Sequence, residues 1–307
     1  DAYAGEARLT ERGAQMVEAD LVTYMAIRMR IEGWLKDHPE LLDAPIEKPL
    51  FVFGLPRTGT TLMINLLASD PARRSFLRWE AYDPTPPPRP EELHAGPRYQ
   101  AMQDQCMMAL EHVPQIAAIH MEFADSPTEC QFLMTPSFCA QVYEAQADIP
   151  SWRHWFLHEA DYLPAFRFHK RTLQALQHYA KGRWTLKNPW HPLFLDALTE
   201  VYPDAQLVMT HRDPAEVVGS CCSLIKYVRA MYSDDVNLEG IGESFMDTFQ
   251  LMIDRSDAFR ARHGADAIHD VQYVETLSDP IGTVQRIYRR FDEPLTPEAE
   301  AAMHAYM

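Results

Sequence analysis

Gly54 and Gly59 bracket the turn GLPRTGTT, whose residue types suit the binding of a tetrahedral oxyanion. The glycine spacing is that of a phosphate loop, G-x-x-x-x-G-K-[ST], but Thr60 and Thr61 stand where lysine and Ser/Thr belong. The N–H groups from Thr58 to Thr61, at the amino end of an expected helix, still form an anion nest. Arg57 supplies the fixed charge that lysine would have given, and a guanidinium can grip an oxyanion through two parallel hydrogen bonds. Taken alone, the turn could equally be a ligand-free connection between strand and helix. A second candidate is HRDPAEVVGS, where Arg212 precedes Ser220 by eight residues, about two helical turns, so that both lie on one side. Two such sites in one chain make chance less persuasive. A Mg²⁺-holding acidic residue is not expected, because the strand QLVMTHR ends in a cation.

These residues need elements to hold them at one edge. Residues 49–54 read as a strand, 60–69 as a helix stopping before Pro71, 183–187 and 206–212 as further strands, each followed by a helical segment. Strands alternating with helices predict α/β architecture: a P-loop-type parallel sheet flanked by helices, with ligands outside the carboxyl ends of the strands. Residues 15–36 have apolar positions at helical spacing and predict an amphipathic helix packed on the sheet-bearing domain. A large helical insertion is expected over 95–181, broken near Pro114, Pro127, Pro136, Pro150 and Pro164. The expected organisation is one domain over 1–307: a helical flank (1–48), the loop region (49–94), an acceptor-side helical segment (95–181) and a second phosphate-binding half (182–307).

Composition narrows the partners. The 307 residues are 47% hydrophobic with a formal net charge of -16, enough for a substantial core and unfavourable for nucleic acid, whose binding rests on Lys and Arg. Apolar runs such as LMINLLA are far shorter than the roughly 20 residues of a membrane span, and the acidic start has no signal-like pattern, so a cytoplasmic protein is expected. Five cysteines without C-x-x-C spacing argue for reduced, buried thiols. His154 and His158 have the i, i+4 spacing of zinc ligands but lack the intervening glutamate of H-E-x-x-H, and no metal is expected.

With both anion motifs in view, the sequence resembles the sulfotransferases that use 3′-phosphoadenosine-5′-phosphosulfate (PAPS) and release the 3′,5′-bisphosphate PAP. GLPRTGTT looks like their 5′-phosphosulfate loop, which would assign Arg57, Thr58, Gly59, Thr60 and Thr61 to that group; Arg212 and Ser220 look like their 3′-phosphate site. YVETLSDPIGTVQRIYRRF is similar to the family's Tyr-x-x-Leu-x-x-x-Pro segment, which would bring Tyr273 near the adenine. LRWEAYDPTPPP and WTLKNPWHPLFLDAL most resemble the bacterial branch, and the similarity runs from about residue 49 to 291. Leu62 departs from it, since cytosolic members carry a tryptophan there against the adenine.

The resemblance implies transfer of a sulfuryl group to a hydroxyl or amine of a small-molecule, lipid or carbohydrate acceptor, which needs in-line approach, charge stabilisation and a base. Arg57 and Lys187 are the candidate cations. For the base, Glu80 in RWEAY is similar to the glutamate of tyrosylprotein and heparan sulfotransferases, while His191 stands two residues beyond the cytosolic family's histidine; Glu80 is preferred. Glu129, in a proline-bounded turn, reads as a helix-start carboxylate rather than a catalyst. Two other classes stay open: a protein that binds PAP without turnover, and a P-loop kinase, which magnesium-dependent ATP turnover would reveal.

Overall fold

The computed structural model describes residues 1–112 and 122–307. Its centre is a parallel sheet of β1 (Leu50–Gly54), β2 (Arg73–Ser75), β3 (Arg183–Lys187), β4 (Gln206–His211) and β5 (His269–Gln272), in the order β2-β3-β1-β4-β5. β1 is the middle strand, with Val52 level with Lys187 on one side and Val208 on the other. Every residue of β1 is buried, as in a strand covered on both faces. Alternation then sends Phe51 and Phe53 into the larger core with Trp184, Leu186 and Met209, and Leu50 and Val52 into a second core with Met63, Leu66, Leu67 and Val284. Fully burying side chains of this size contributes about 1.5–3 kcal/mol each.

Helices carry the layers on either face. In chain order those used below are α1 (Glu11–Asp37), α2 (Thr60–Ala68), α3 (Arg78–Tyr82), α4 (Val142–Gln146), α5 (Leu163–Leu176), α6 (Pro214–Ala230), α7 (Leu238–His263) and α8 (Tyr273–Ser278). The amphipathic flank is longer than expected, running from Glu11 with Thr10 accepting from the Gly13 N–H at 3.0 Å. It buries Ile27, Ile31 and Leu35 against Phe168 and Ala175 of α5. Strands 50–54, 183–187 and 206–211 fall where the sequence predicts them; the short edge strands β2 and β5 carry no comparable apolar run and were not expected.

The insertion is helical in pieces. Pro150 and Pro164 do more than break helices: each occupies the first turn of the helix it starts, where a missing N–H costs nothing. Pro136 lies in a 3₁₀ turn, and the expected break near Pro114 lies outside the described residues. His154 and His158 share one helix face, rings 5.1 Å apart, and His154 pairs with Glu159. Among the described residues no helix is long and apolar enough to cross a membrane.

Candidate active site

The carboxyl ends of β1, β3, β4 and β5 open onto one cleft of about 450 Å³, within the size range of small-molecule sites, which is roughly 300–1,000 Å³. Its lining comes from the segments that leave the strand ends: Arg57, Gly59, Thr60, Thr61 and Leu62 after β1, Pro189 and Trp190 after β3, Arg212 after β4 and Tyr273 after β5. This is the position at which open parallel sheets receive ligands.

The loop's shape depends on its glycines. A Cβ on Gly54 would stand 2.3 Å from the Thr210 carbonyl oxygen, so only glycine lets β1 leave the sheet beside β4. Gly59 has φ +91°, and a Cβ there would meet the Tyr273 ring at 2.6 Å. Arg57 adopts φ +71°, a left-handed conformation that costs a non-glycine residue about 1–3 kcal/mol. The surrounding structure holds it: its carbonyl accepts from Arg212 Nη1 at 3.3 Å, and its Nε donates to Ser220 Oγ at 3.0 Å. Thr58 is turned inward, its hydroxyl bonded to the Leu55 carbonyl at 2.6 Å and to Thr210 Oγ1 at 2.7 Å. Its side chain therefore fastens the loop. Thr60 and Thr61 open α2, where the first N–H groups have no intrahelical acceptor and form the positive end of the helix dipole.

Arg212 and Ser220 meet this loop, as the spacing within HRDPAEVVGS anticipates. Asp213 caps α6 by accepting from the Ala215 N–H at 2.9 Å, so the helix starts two residues past Arg212. The guanidinium lies 4.8 Å over the Tyr273 ring and is steadied by Glu216, with Nε donating at 2.8 Å. Arg57, Arg212, Ser220 and Tyr273 therefore form one constellation drawn from the segments that follow β1, β4 and β5.

Lys187 closes β3 with its side chain fully buried; its Nζ is 3.4 Å from Glu129 Oε1. Glu129 lines the cleft, brought there by a parallel bridge that pairs it with Lys187, and its other carboxylate oxygen accepts from the Gln131 amide. Glu122 also lines the cleft but is held by Arg78 at 2.6 Å.

The two bases expected from the sequence lie elsewhere. Glu80 has no exposed surface; it forms a two-pronged ion pair with Arg74 and accepts from the Leu77 N–H at 3.0 Å, capping α3. There the carboxylate is engaged by a buried guanidinium and by the start of a helix, away from the residues that line the cleft. His191 is likewise fully buried, its ring 5.2 Å from Phe51, 5.7 Å from Phe194 and 5.9 Å from Phe166. Burial, reinforced by His169, pushes its pKa well below the usual histidine value, and among the described residues neither ring nitrogen has a hydrogen-bond partner. It is a core histidine. Glu129, read from the sequence as a helix-start carboxylate, lines the cleft together with Glu122; no local signal marks it, because the bridge to Lys187 joins segments 58 residues apart.

An apolar wall is formed by Leu62, Phe132, Val142, Ala145, Trp190, Cys221, Leu224, Ile225 and Val228, with Arg78, Gln131 and Gln141 as polar members of the lining. Burial pushes the Cys221 thiol pKa up, which leaves it an inert wall residue.

Comparison with known proteins gives three findings. Residues 49–297 match the model of the sulfotransferase family. Over 253 residues the chain is 26% identical to the omega-hydroxy-beta-dihydromenaquinone-9 sulfotransferase Stf3 of Mycobacterium bovis, and equally to that of Mycobacterium tuberculosis, with 79% of the chain aligned. The aligned stretch spans 62% of the length of these curated relatives. Among solved structures, sulfotransferase STF9 from Mycobacterium avium superposes with a TM-score of 0.95 at 36% identity, covering 100% of this chain and 79% of that one. Sulfotransferase STF1 from M. tuberculosis H37Rv does so with a TM-score of 0.91 at 36% identity, covering 100% and 84%.

Proposed function

The chain belongs to the sulfotransferase family, and on that premise we propose that it moves the sulfuryl group of PAPS to the hydroxyl of an apolar acceptor, releasing PAP. The observation that carries this reading is the junction of two anion-binding sets. Arg57 on the phosphate loop touches Ser220 at 3.0 Å and Arg212 at 3.3 Å, so the 5′-phosphosulfate and the 3′-phosphate of one nucleotide can be held together. The loop N–H groups and Arg57 would hold the 5′ end, Arg212 and Ser220 the 3′-phosphate, and Tyr273 the adenine side.

Residue roles follow from placement. The acceptor oxygen attacks sulfur as the bond from sulfur to the bridging phosphate oxygen breaks. Arg57, fixed in the loop, stabilises the charge gathering on that leaving oxygen. Glu129 takes the acceptor proton, its carboxylate oriented by Lys187 and Gln131. Glu80 and His191 have no part in the transfer; they support the fold.

The relatives named for a dihydromenaquinone act on a lipid, and the apolar wall here supports a lipid or phenolic acceptor over a carbohydrate. All five cysteines are unpaired, which supports a reducing, cytoplasmic setting. The experiment is incubation with PAPS and a panel of lipophilic alcohols and phenols, read by mass spectrometry. Expected is an acceptor heavier by one SO₃ with equimolar PAP; PAP binding without any sulfated product across the panel would instead favour a non-catalytic nucleotide-binding protein.

A further inference from the structure

The apolar side of the cleft is built along one face of α6. Immediately past Ser220, which touches the loop arginine, Cys221, Leu224, Ile225 and Val228 follow at helical spacing and all line the cleft. From Cys221 to Val228 the helix advances seven residue steps, so this wall runs about 10 Å away from the loop. Cys221 and Ile225 are buried behind it, while Leu224 and Val228 keep part of their side chains open to the cleft. Val142 and Ala145 of the neighbouring α4, also partly open, line the same cleft.

The spacing of α6 and α4 is fixed beside these residues. Arg229, next to Val228 and 3% exposed, donates Nε and Nη2 to the carbonyl of Glu144, next to Ala145, at 3.3 and 3.1 Å. A buried guanidinium bonded to backbone ties the two helices together, so what remains adjustable in this stretch is side-chain volume. At Ala145 and Val228 that volume is small.

We infer that the acceptor's apolar body lies along α6 and that Val228 sets how long that body can be: the cleft selects alcohols and phenols carrying an extended apolar chain of about eight carbons over compact ones. This rests on the cleft being the place of transfer, with the acceptor hydroxyl at the Glu129 end. Leu224, one turn nearer the loop, is a second graduation on the same scale.

The test titrates 4-alkylphenols, from phenol to 4-nonylphenol, into the protein by calorimetry, with and without PAP. Wild-type Kd should fall about threefold to fourfold per added methylene and level off near eight carbons. Val228→Trp should move the levelling point several carbons shorter while leaving phenol and 4-ethylphenol unchanged, and Leu224→Trp should move it shorter still. A wild-type Kd independent of chain length would overturn the inference without recourse to a variant. So would equal weakening of every homologue by folded Val228→Trp, folding being checked by thermal melting. PAP binding is followed in the same samples: a length series without PAP binding sinks the donor reading alone, and PAP binding without a length series sinks this inference alone.

Discussion

The proton of the acceptor needs a carboxylate that can reach it, and at the scale of single residues that requirement separates Glu129 from Glu80. Glu129→Gln keeps shape and hydrogen-bonding capacity but removes basicity, so PAP affinity should hold while turnover falls by about 10² or more. Glu80→Gln should do the reverse: it leaves Arg74 buried beside a neutral partner, and breaking a buried pair costs about 3–5 kcal/mol, read as a lower denaturant midpoint with turnover per folded molecule preserved. Normal turnover in Glu129→Gln would contradict the assignment. Arg57, Arg212 and Ser220 were legible in the sequence because each sits in a short motif whose local conformation already determines where it points. That Glu129 would line the cleft was not legible. Its place there depends on a bridge to Lys187 from a segment 58 residues away, and no spacing rule carries that fact.

At the scale of elements, the loop and the helix ends around it form one packed unit in which Tyr273 lies against Gly59 and under Arg212. Gly59→Ala would force a side chain into a positive φ and into the tyrosine ring at once. We expect about a tenfold loss of PAP affinity, because the loop must shift away from both anion sets, with a much smaller change in unfolding midpoint. Unchanged PAP affinity in that variant would show that loop shape does not govern donor binding. The strands that carry the site were readable from apolar runs of five or six residues flanked by turn signals. β2 and β5 escaped because RRS and HDVQ are polar edge strands, whose pairing partners rather than their own composition make them strands. Sequence likewise showed α6 as a helix but not that one of its faces forms the cleft wall, since a stripe of Cys221, Leu224, Ile225 and Val228 looks the same whether it packs against a core or lines a cavity.

For the whole molecule, the two core histidines link stability to pH. Burial lowers the His169 pKa to about 3 and lowers that of His191 well below the ordinary value, whereas in the unfolded chain both titrate near 6.5. The unfolded state therefore binds more protons as the solution acidifies, so their contribution is complete above about pH 6.5 and is progressively lost below it. Urea midpoints should fall between pH 7 and pH 5, and His191→Phe, which keeps a ring among Phe51, Phe166 and Phe194, should reduce that fall; an identical fall in the variant would argue against it. The same layered core holds the strand ends in register, and with them the claim on which the account turns: that Arg57 with the loop, and Arg212 with Ser220, grip the two ends of one nucleotide. Calorimetry in EDTA with PAP and with adenosine 5′-monophosphate tests it most directly. The prediction is metal-independent PAP binding that Arg212→Ala weakens about tenfold or more, the loss of one charge-assisted contact, while binding of the 5′-monophosphate changes little. Absence of PAP binding to the wild-type protein, or equal weakening of both nucleotides in Arg212→Ala, would contradict it.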